Sequence, residues 1–210
     1  MTGSPLIRIV DDDRELLVSQ KMLLETLGWE VVTYASGMDF LRMDSLSRPG
    51  CVVLDVRMPG MTGLEVQEQL EQRGVEHIAI IFLSAHGDVP MAVHTMRHGA
   101  VDFISKPADP RYLLERVAKS VTKSIEKSER EAEIKSLREL AQGLSPRERD
   151  VARLIAKGLR NKEIARELGI EETTVKMHRG NAMLKLRAKT SAELIRIFTI
   201  LDFQSEGGQP

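Results

Sequence analysis

Five short runs of apolar and β-branched residues alternate with segments of helical periodicity through the first 125 residues, and this alternation limits the possible folds most strongly. Each run is predicted to be a strand because it is short and bounded by Gly, Pro, Asp or Ser. The alternation predicts an α/β domain, a doubly wound, five-stranded parallel sheet with helices on both faces. The predicted strands are Leu6–Val10, Glu30–Tyr34, Cys51–Asp55, Ala79–Leu83 and Asp102–Ser105. The predicted helices are Glu15–Leu27, Gly37–Met43, Leu64–Gln72, Val89–Arg97 and one from Pro110 onward.

After Gly143 only helical patterns remain, so the sequence predicts a second, small all-α domain of four helices. Ser145–Glu148 and Thr190–Glu193 are capping boxes, in which Ser or Thr precedes Glu by three residues and starts a helix. The two helices between these boxes are delimited by capping residues and glycines. Gly158 and Gly169 are predicted to end helices, Asn161 to cap the second helix, and Thr173 or Thr174 to open the third.

The 210 residues therefore divide into two domains joined by a charged segment that lacks glycine. We predict the first domain over 1–124, a helical linker over 125–142, the second domain over 143–203 and a mobile tail over 204–210. The apolar stripe of the linker is interrupted by charges, which leaves pairing as a coiled coil open. The net charge of −1 also divides, with 13 basic and 17 acidic residues up to position 125 and 17 basic and 14 acidic residues after it.

Composition excludes several classes of protein. The single cysteine, Cys51, excludes a disulfide framework and a cysteine-based zinc site, and suits a reducing compartment. The N-terminal apolar run is too short for a signal peptide, and no run of eighteen apolar residues occurs. We expect a cytoplasmic protein that does not act at a membrane.

Polar residues cluster where the predicted strands end. Asp11–Asp13 follow the first strand, Asp55 ends the third, Ser84 follows the fourth and Lys106 follows the fifth. The carboxyl ends of parallel strands lie at one edge of the sheet, so these side chains are expected to share a cleft. Crowded carboxylates repel one another, and Mg²⁺, which prefers oxygen ligands, offsets that repulsion. Asp13 is instead interpreted as the cap of the first helix.

Four segments carry a resemblance to a known family: Val-Asp-Asp-Asp at 10–13, Leu-Asp-Val-Arg-Met-Pro-Gly-Met at 54–61, Leu-Ser-Ala-His-Gly-Asp at 83–88 and Ser-Lys-Pro at 105–107. They resemble the receiver domain of bacterial two-component response regulators. The resemblance implies phosphorylation by a sensor histidine kinase and a cis Lys106–Pro107 bond. It implies the phosphoacceptor Asp55, the Mg²⁺ ligands Asp11, Asp12, Asp55 and the backbone carbonyl of Arg57, the phosphoryl ligands Ser84 and Lys106, and the switch aromatic Phe103.

The segment Val175–Lys189 has five basic and no acidic residues, and the motifs of 144–200 resemble the LuxR-type helix-turn-helix. With the receiver, the chain is similar to the LuxR/FixJ (NarL-like) response regulators. A helix fits the major groove, where its N-terminal half reaches base edges. The candidates for base contact are Thr174, Lys176, Met177 and Arg179. The candidates for backbone contact are Asn161, Thr173, His178, Lys185, Arg187 and Lys189, of which His178 could equally be a buried hydrogen-bonding residue.

The function expected from these observations is a phosphorylation-activated, DNA-binding transcription regulator rather than an enzyme. Its partners would be a histidine kinase, promoter DNA, a second copy of the chain after phosphorylation, and RNA polymerase. Two other functions stay open at this point. One is a signalling adaptor whose helical module binds protein or RNA, and the other is an enzyme that turns over small phosphate compounds.

Overall fold

The computed structural model describes residues 4–85 and 89–206, with side chains up to residue 201. The chain divides into two compact units between Glu129 and Arg130. This division falls inside the predicted linker, whose own limits stay a prediction. Part of the predicted tail, residues 207–210, lies outside the described residues, whereas 204–206 continue the last helix.

A five-stranded sheet with strand order β2-β1-β3-β4-β5 forms the centre of the first unit, and each pair of neighbouring strands is parallel. This confirms the predicted fold. The strands are β1 Leu6–Val10, β2 Glu30–Tyr34, β3 Gly50–Asp55, β4 Ile78–Ser84 and β5 Asp102–Ser105. The helices of the unit are α1 Arg14–Glu25, α2 Gly37–Met43, α3 Gly63–Gln72, α4 Val89–Arg97 and α5 Pro110–Gln142, which continues into the second unit.

Two apolar clusters cover the two faces of the sheet. Alternate residues of β3 contribute to them, Val52 and Leu54 to one cluster and Cys51 and Val53 to the other. This is the period of two that a strand imposes on its side chains. Because both faces are covered, β1 and β3 are continuous hydrophobic runs interrupted by few polar residues.

The starts of two helices lie beside the polar edge of the sheet. The Asp13 carboxylate accepts the backbone N–H groups of Glu15 and Leu16, which confirms its assignment as the cap of α1. A capping box of Thr62 and Glu65, absent from the sequence predictions, starts α3 at Gly63. A Cβ at Gly63 would lie 2.2 Å from the Asp55 carbonyl oxygen, so glycine is required where α3 approaches the end of β3.

Arg8 forms a buried polar network that the sequence analysis did not predict. Its side chain is fully buried, and its guanidinium donates to both carboxylate oxygens of Asp44, at 2.8 and 3.0 Å. The Tyr34 hydroxyl also donates to Asp44, at 2.9 Å, and burial together with this bond raises the pKa of Tyr34 to about 12. Burial by itself would raise the pKa of Asp44, but the Arg8 and Leu46 hydrogen bonds outweigh it and lower that pKa.

The second unit contains the end of α5 and four further helices, as predicted. Their apolar faces meet in one core, which includes Val151, Ile164, Val175 and Leu194. The helices are α6 Pro146–Ala156, α7 Asn161–Leu168, α8 Glu172–Lys185 and α9 Ser191–Glu206.

Two of the predicted helix starts in this unit are wrong. Asn161 is the first residue of α7 rather than its cap, because the Glu163 carboxylate accepts the backbone N–H of Arg160 at 2.7 Å and sets the cap one residue earlier. The helix α8 begins at Glu172, before Thr173 and Thr174, with Glu171 as its cap residue. An acidic residue in the first turn is favoured by the helix dipole, so a threonine cap is not needed there.

We expect Asp44→Asn to lower the unfolding free energy of the first unit by about 3 kcal/mol, because it leaves the buried Arg8 charge unpaired. Urea unfolding followed by the fluorescence of Trp29, the single tryptophan, measures this effect in the full chain. Glu25→Gln is the control, since Glu25 forms only an exposed ion pair with Lys21, worth less than about 1 kcal/mol. Equal effects of the two substitutions would contradict the prediction.

The contribution of Asp44 to the stability of the first unit decreases at low pH. Because folding lowers the pKa of Asp44, its stabilising contribution is complete above pH ~4 and is lost as the pH falls through the lower, folded-state pKa.

Candidate functional site

Two carboxylates meet at the carboxyl edge of the sheet. Asp11 directly follows β1 and Asp55 ends β3, and these strands are hydrogen-bonded neighbours. Both residues are nearly buried, with exposures of 2% for Asp11 and 6% for Asp55. The topology therefore brings two acidic groups together in a place where water cannot fully solvate them.

The Lys106 ammonium lies between these carboxylates. Its Nζ atom is 2.6 Å from Asp11 Oδ2 and 2.7 Å from Asp55 Oδ1. The Lys106 backbone N–H donates to the Ser84 carbonyl at 2.8 Å, which holds the end of β5 beside β4. The Lys106–Pro107 bond is cis, as the resemblance implied. One cation thus joins the ends of β1, β3 and β5.

Burial and charge shift the ionisation of this cluster. Burial raises the pKa of Asp11, the Asp55 charge adds to that rise, and hydrogen bonds from Lys106 and the Asp13 backbone only partly oppose it. Burial would lower the pKa of Lys106, but its hydrogen bonds to Asp11 and Asp55 outweigh this and raise it. The lysine is therefore held charged, which keeps a fixed positive group beside Asp55.

Asp55 is oriented through both of its oxygens. Oδ1 faces Lys106, and Oδ2 accepts the backbone N–H of Arg57 at 2.7 Å. Ser84 ends the neighbouring strand β4 and is buried at the same edge, one register position beyond Leu83, which pairs with Asp55. Phe103 on β5 is half-buried, and its ring stacks on Phe82 with centroids 6.2 Å apart. Asp55, Ser84 and Phe103 lie on the predicted strands or at their ends, and Lys106 directly follows β5; their roles stay predictions.

The donor chemistry at this edge fits Mg²⁺. Asp11, Asp55, the adjacent exposed Asp12 and the Arg57 carbonyl form an all-oxygen set, which hard divalent cations prefer. Burial is the main cause of the raised Asp11 pKa, and one Lys106 ammonium faces two carboxylates, so a bound cation would favour their charged forms. Within the described residues, no three His, Cys, Asp or Glu side chains are already arranged around a common metal position.

The basic helix α8 has one buried and one exposed side. Val175, Ala182 and Leu186 at its end are buried in the core of the second unit. The exposed members of the predicted DNA-contact set are Thr173, Lys176, Met177, Lys185, Arg187 and Lys189. Asn161, Thr174, His178 and Arg179 are half-buried.

Several of the predicted contact residues, among them Asn161, Arg179 and Lys185, also form side-chain bonds within the unit. Arg179 donates to Asn161 Oδ1 at 3.2 Å and to the Ser191 hydroxyl. Lys185 donates to the buried Glu148 carboxylate at 2.7 Å, and the Ser145 backbone N–H donates to the same group. These two bonds, Lys185 first, lower the pKa of Glu148 to about 2. The Glu148–Lys185 pair, which joins α6 to α8, was missed because its partners are 37 residues apart in sequence.

Comparison with known proteins supports both halves of the chain. Residues 7–118 match the model of the response regulator receiver domain, and residues 142–198 match that of bacterial regulatory proteins of the luxR family. Nodulation protein W of Bradyrhizobium diazoefficiens is 41% identical over 91% of this chain and 84% of its own length. The tetrathionate response regulatory protein TtrR of Salmonella typhimurium is 42% identical over 91% of each chain.

Solved structures of response regulators are also similar to this chain. A structure of the response regulator StyR has a TM-score of 0.83 at 39% identity, covering 94% of this chain and 99% of that one. A crystal structure of FixJ-N has a TM-score of 0.53 at 35% identity, covering 57% of this chain and 95% of that one.

The fold, the acidic edge and these matches define a response regulator with a receiver domain. The chain belongs to the response regulators that join a receiver to a LuxR-type DNA-binding domain, a family of transcription regulators rather than classical enzymes. Receiver domains generally bind Mg²⁺ for phosphorylation, and the family implies a sensor kinase and DNA as partners. Among the described helices, none is long and apolar enough to cross a membrane.

We expect Glu148→Gln to destabilise the second unit by about 1–2 kcal/mol, a modest value because Lys185 is 41% exposed and water screens the pair. Since folding lowers the Glu148 pKa to about 2, its contribution is complete above pH ~4.5 and is lost as the pH falls towards 2. Hydrogen exchange of the α6 and α8 amides measures the loss. Glu133→Gln, which removes only an exposed 2.9 Å pair with Arg196, should leave the exchange of these amides unchanged.

Proposed function

We propose that Asp55 accepts a phosphoryl group from the phosphohistidine of a sensor kinase. The observation that carries the proposal is the contact of Lys106 Nζ with both Asp11 and Asp55 at the buried strand edge. An Asp55 oxygen forms the new P–O bond, the P–N bond of the phosphohistidine breaks, and the kinase imidazole leaves with a proton from solvent. The product is an acyl phosphate.

The surrounding residues stabilise charge on the transferring group. Phosphoryl transfer depends on positioning and on cations and hydrogen-bond donors at the equatorial oxygens. Lys106 supplies a fixed cation, and Ser84 supplies a hydroxyl donor at the same edge. Asp11, Asp12, Asp55 and the Arg57 carbonyl would hold Mg²⁺, which supplies further neutralisation of the phosphoryl charge. The backbone N–H of Arg57 keeps the Asp55 carboxylate oriented.

Phosphorylation then changes the surface formed by α4, β5 and the start of α5. We propose that Ser84 moves towards the new phosphoryl charge and Phe103 moves inward with it, as the family implies. The surface exposes Val89, Val93, Met96 and Tyr112, an apolar set suited to homodimer formation. The dimer would place two α8 helices on half-sites of promoter DNA in the cytoplasm, where the protein would contact RNA polymerase.

We expect Asp55→Asn to abolish phosphate incorporation from acetyl phosphate and the dimerisation that depends on it, because an amide is a poor nucleophile. Intact mass and light scattering of the full chain measure the two effects. Chelation of Mg²⁺ should abolish incorporation into the wild-type chain as well. Asp13→Asn is the matched control, since asparagine also caps a helix and should leave incorporation unchanged. Phosphate-dependent dimerisation of Asp55→Asn would refute this switch.

We expect Lys189→Ala to weaken binding to promoter fragments uniformly and to reduce the slope of log affinity against log salt by about one, as the loss of one phosphate contact does. Lys189 is exposed, so the stability of the second unit should not change. Fluorescence anisotropy at several salt concentrations measures both quantities. A flat slope for the wild-type chain would instead favour the adaptor, and repeated turnover of small phosphate compounds would favour the enzyme.

A further inference from the structure

Gly180 lies in the middle of α8, where a glycine destabilises a helix relative to alanine. Packing does not explain it, because a Cβ built at Gly180 meets no heavy atom within 4 Å. Backbone conformation does not explain it either, since Gly180 is not among the described residues with positive φ. At Gly63, by contrast, a Cβ would meet backbone at 2.2 Å. The fold of the described unit therefore does not require glycine at position 180.

Gly180 lies on the exposed side of α8. At 3.6 residues per turn, Met177, Gly180 and Asn181 share one side of α8, opposite Val175 and Ala182, which are buried. Gly180 and Asn181 are exposed, and Met177 is 54% exposed although it is a large apolar side chain. Gly180 therefore leaves open surface beside the exposed side chains of Met177 and Asn181.

The exposed side chains on this side of α8 can form the contacts that an A·T base pair offers in the major groove. Val175–Lys189 contains no acidic residue, and the exposed Lys176 and Lys189 favour a polyanion. In the major groove, asparagine can form two hydrogen bonds with the N6 and N7 atoms of adenine, and an apolar side chain can contact the methyl group of thymine. Asn181 and Met177 are therefore suited to the two bases of A·T pairs.

We propose that Gly180 is the point of closest approach between α8 and DNA, and that Asn181 and Met177 beside it recognise adenine and thymine in the major groove. Without a Cβ at position 180 the helix backbone moves nearer to the base edges, which brings the shorter Asn181 side chain within reach. This inference rests on the proposed function, in which α8 binds promoter DNA.

Substitution of Gly180 tests the close approach, because helix stability and DNA affinity should change in opposite directions. The probe is a duplex selected from a random-sequence pool by the full-length wild-type chain with acetyl phosphate. Gly180→Ala should slow hydrogen exchange of the α8 amides about fivefold and weaken binding to this duplex about tenfold. Gly180→Leu should bind more weakly still while α8 remains protected. Wild-type affinity of Gly180→Ala, or a loss of affinity accompanied by faster exchange, would overturn the inference.

Substitution of bases in the selected duplex tests whether Met177 recognises thymine and Asn181 recognises adenine. Replacing single thymines of the selected duplex by uracil removes only the methyl group, and one such replacement should weaken wild-type binding about fourfold. Met177→Ala should bind the thymine and uracil duplexes equally, and Asn181→Ala should lose its preference for adenine at one position of the site. If both variants keep the wild-type preferences, the assignment of Met177 and Asn181 is wrong.

These experiments also separate two kinds of failure. A wild-type chain that selects no duplex contradicts the proposed function and this inference together. A wild-type chain that selects a duplex, paired with a Gly180→Ala variant that binds it equally well, contradicts this inference alone.

Discussion

The candidate site of the first unit is organised by one interaction, the contact of the Lys106 ammonium with the carboxylates of Asp11 and Asp55. Two nearly buried carboxylates beside each other are unfavourable, and a single lysine offsets only part of their charge. The parallel strand order requires this proximity, because β1 and β3 are neighbours and end at the same edge. The uncompensated negative charge would favour a divalent cation at this edge, and Lys106 supplies positive charge that a phosphoryl group would need.

Two other pairs of charged residues stabilise the scaffold. The Arg8–Asp44 pair and its Tyr34 contact hold β1 to the segment after α2, and the Glu148–Lys185 pair holds α6 to α8. Lys185, on the basic helix α8, donates to Glu148 of its own unit and is still 41% exposed. We therefore expect substitution of Lys185 to change both stability and DNA affinity, and substitution of the exposed Lys189 to change DNA affinity alone.

Local sequence patterns predicted the bounds of the five strands of the sheet well. The strands agree to within one residue at each end, because short β-branched runs bounded by turn residues are distinctive. The prediction failed at the starts of α7 and α8, where acidic residues of the first turn replaced the expected Asn161 and Thr173 or Thr174 caps. It also missed Arg8, because a single arginine within an apolar strand carries no sign of the distant carboxylate that neutralises it.

The sequence by itself determined the two-domain organisation, the parallel sheet, the Asp13 cap and the identity of the residues at the strand ends, since these follow from periodicity and from motifs within a few residues. Only the tertiary structure decided which charges meet. Lys106 reaches Asp11 across 95 positions, and Lys185 reaches Glu148 across 37. It also showed that Gly180 has open space around it. Contacts between distant segments depend on how the elements pack, and local spacing carries no record of that packing.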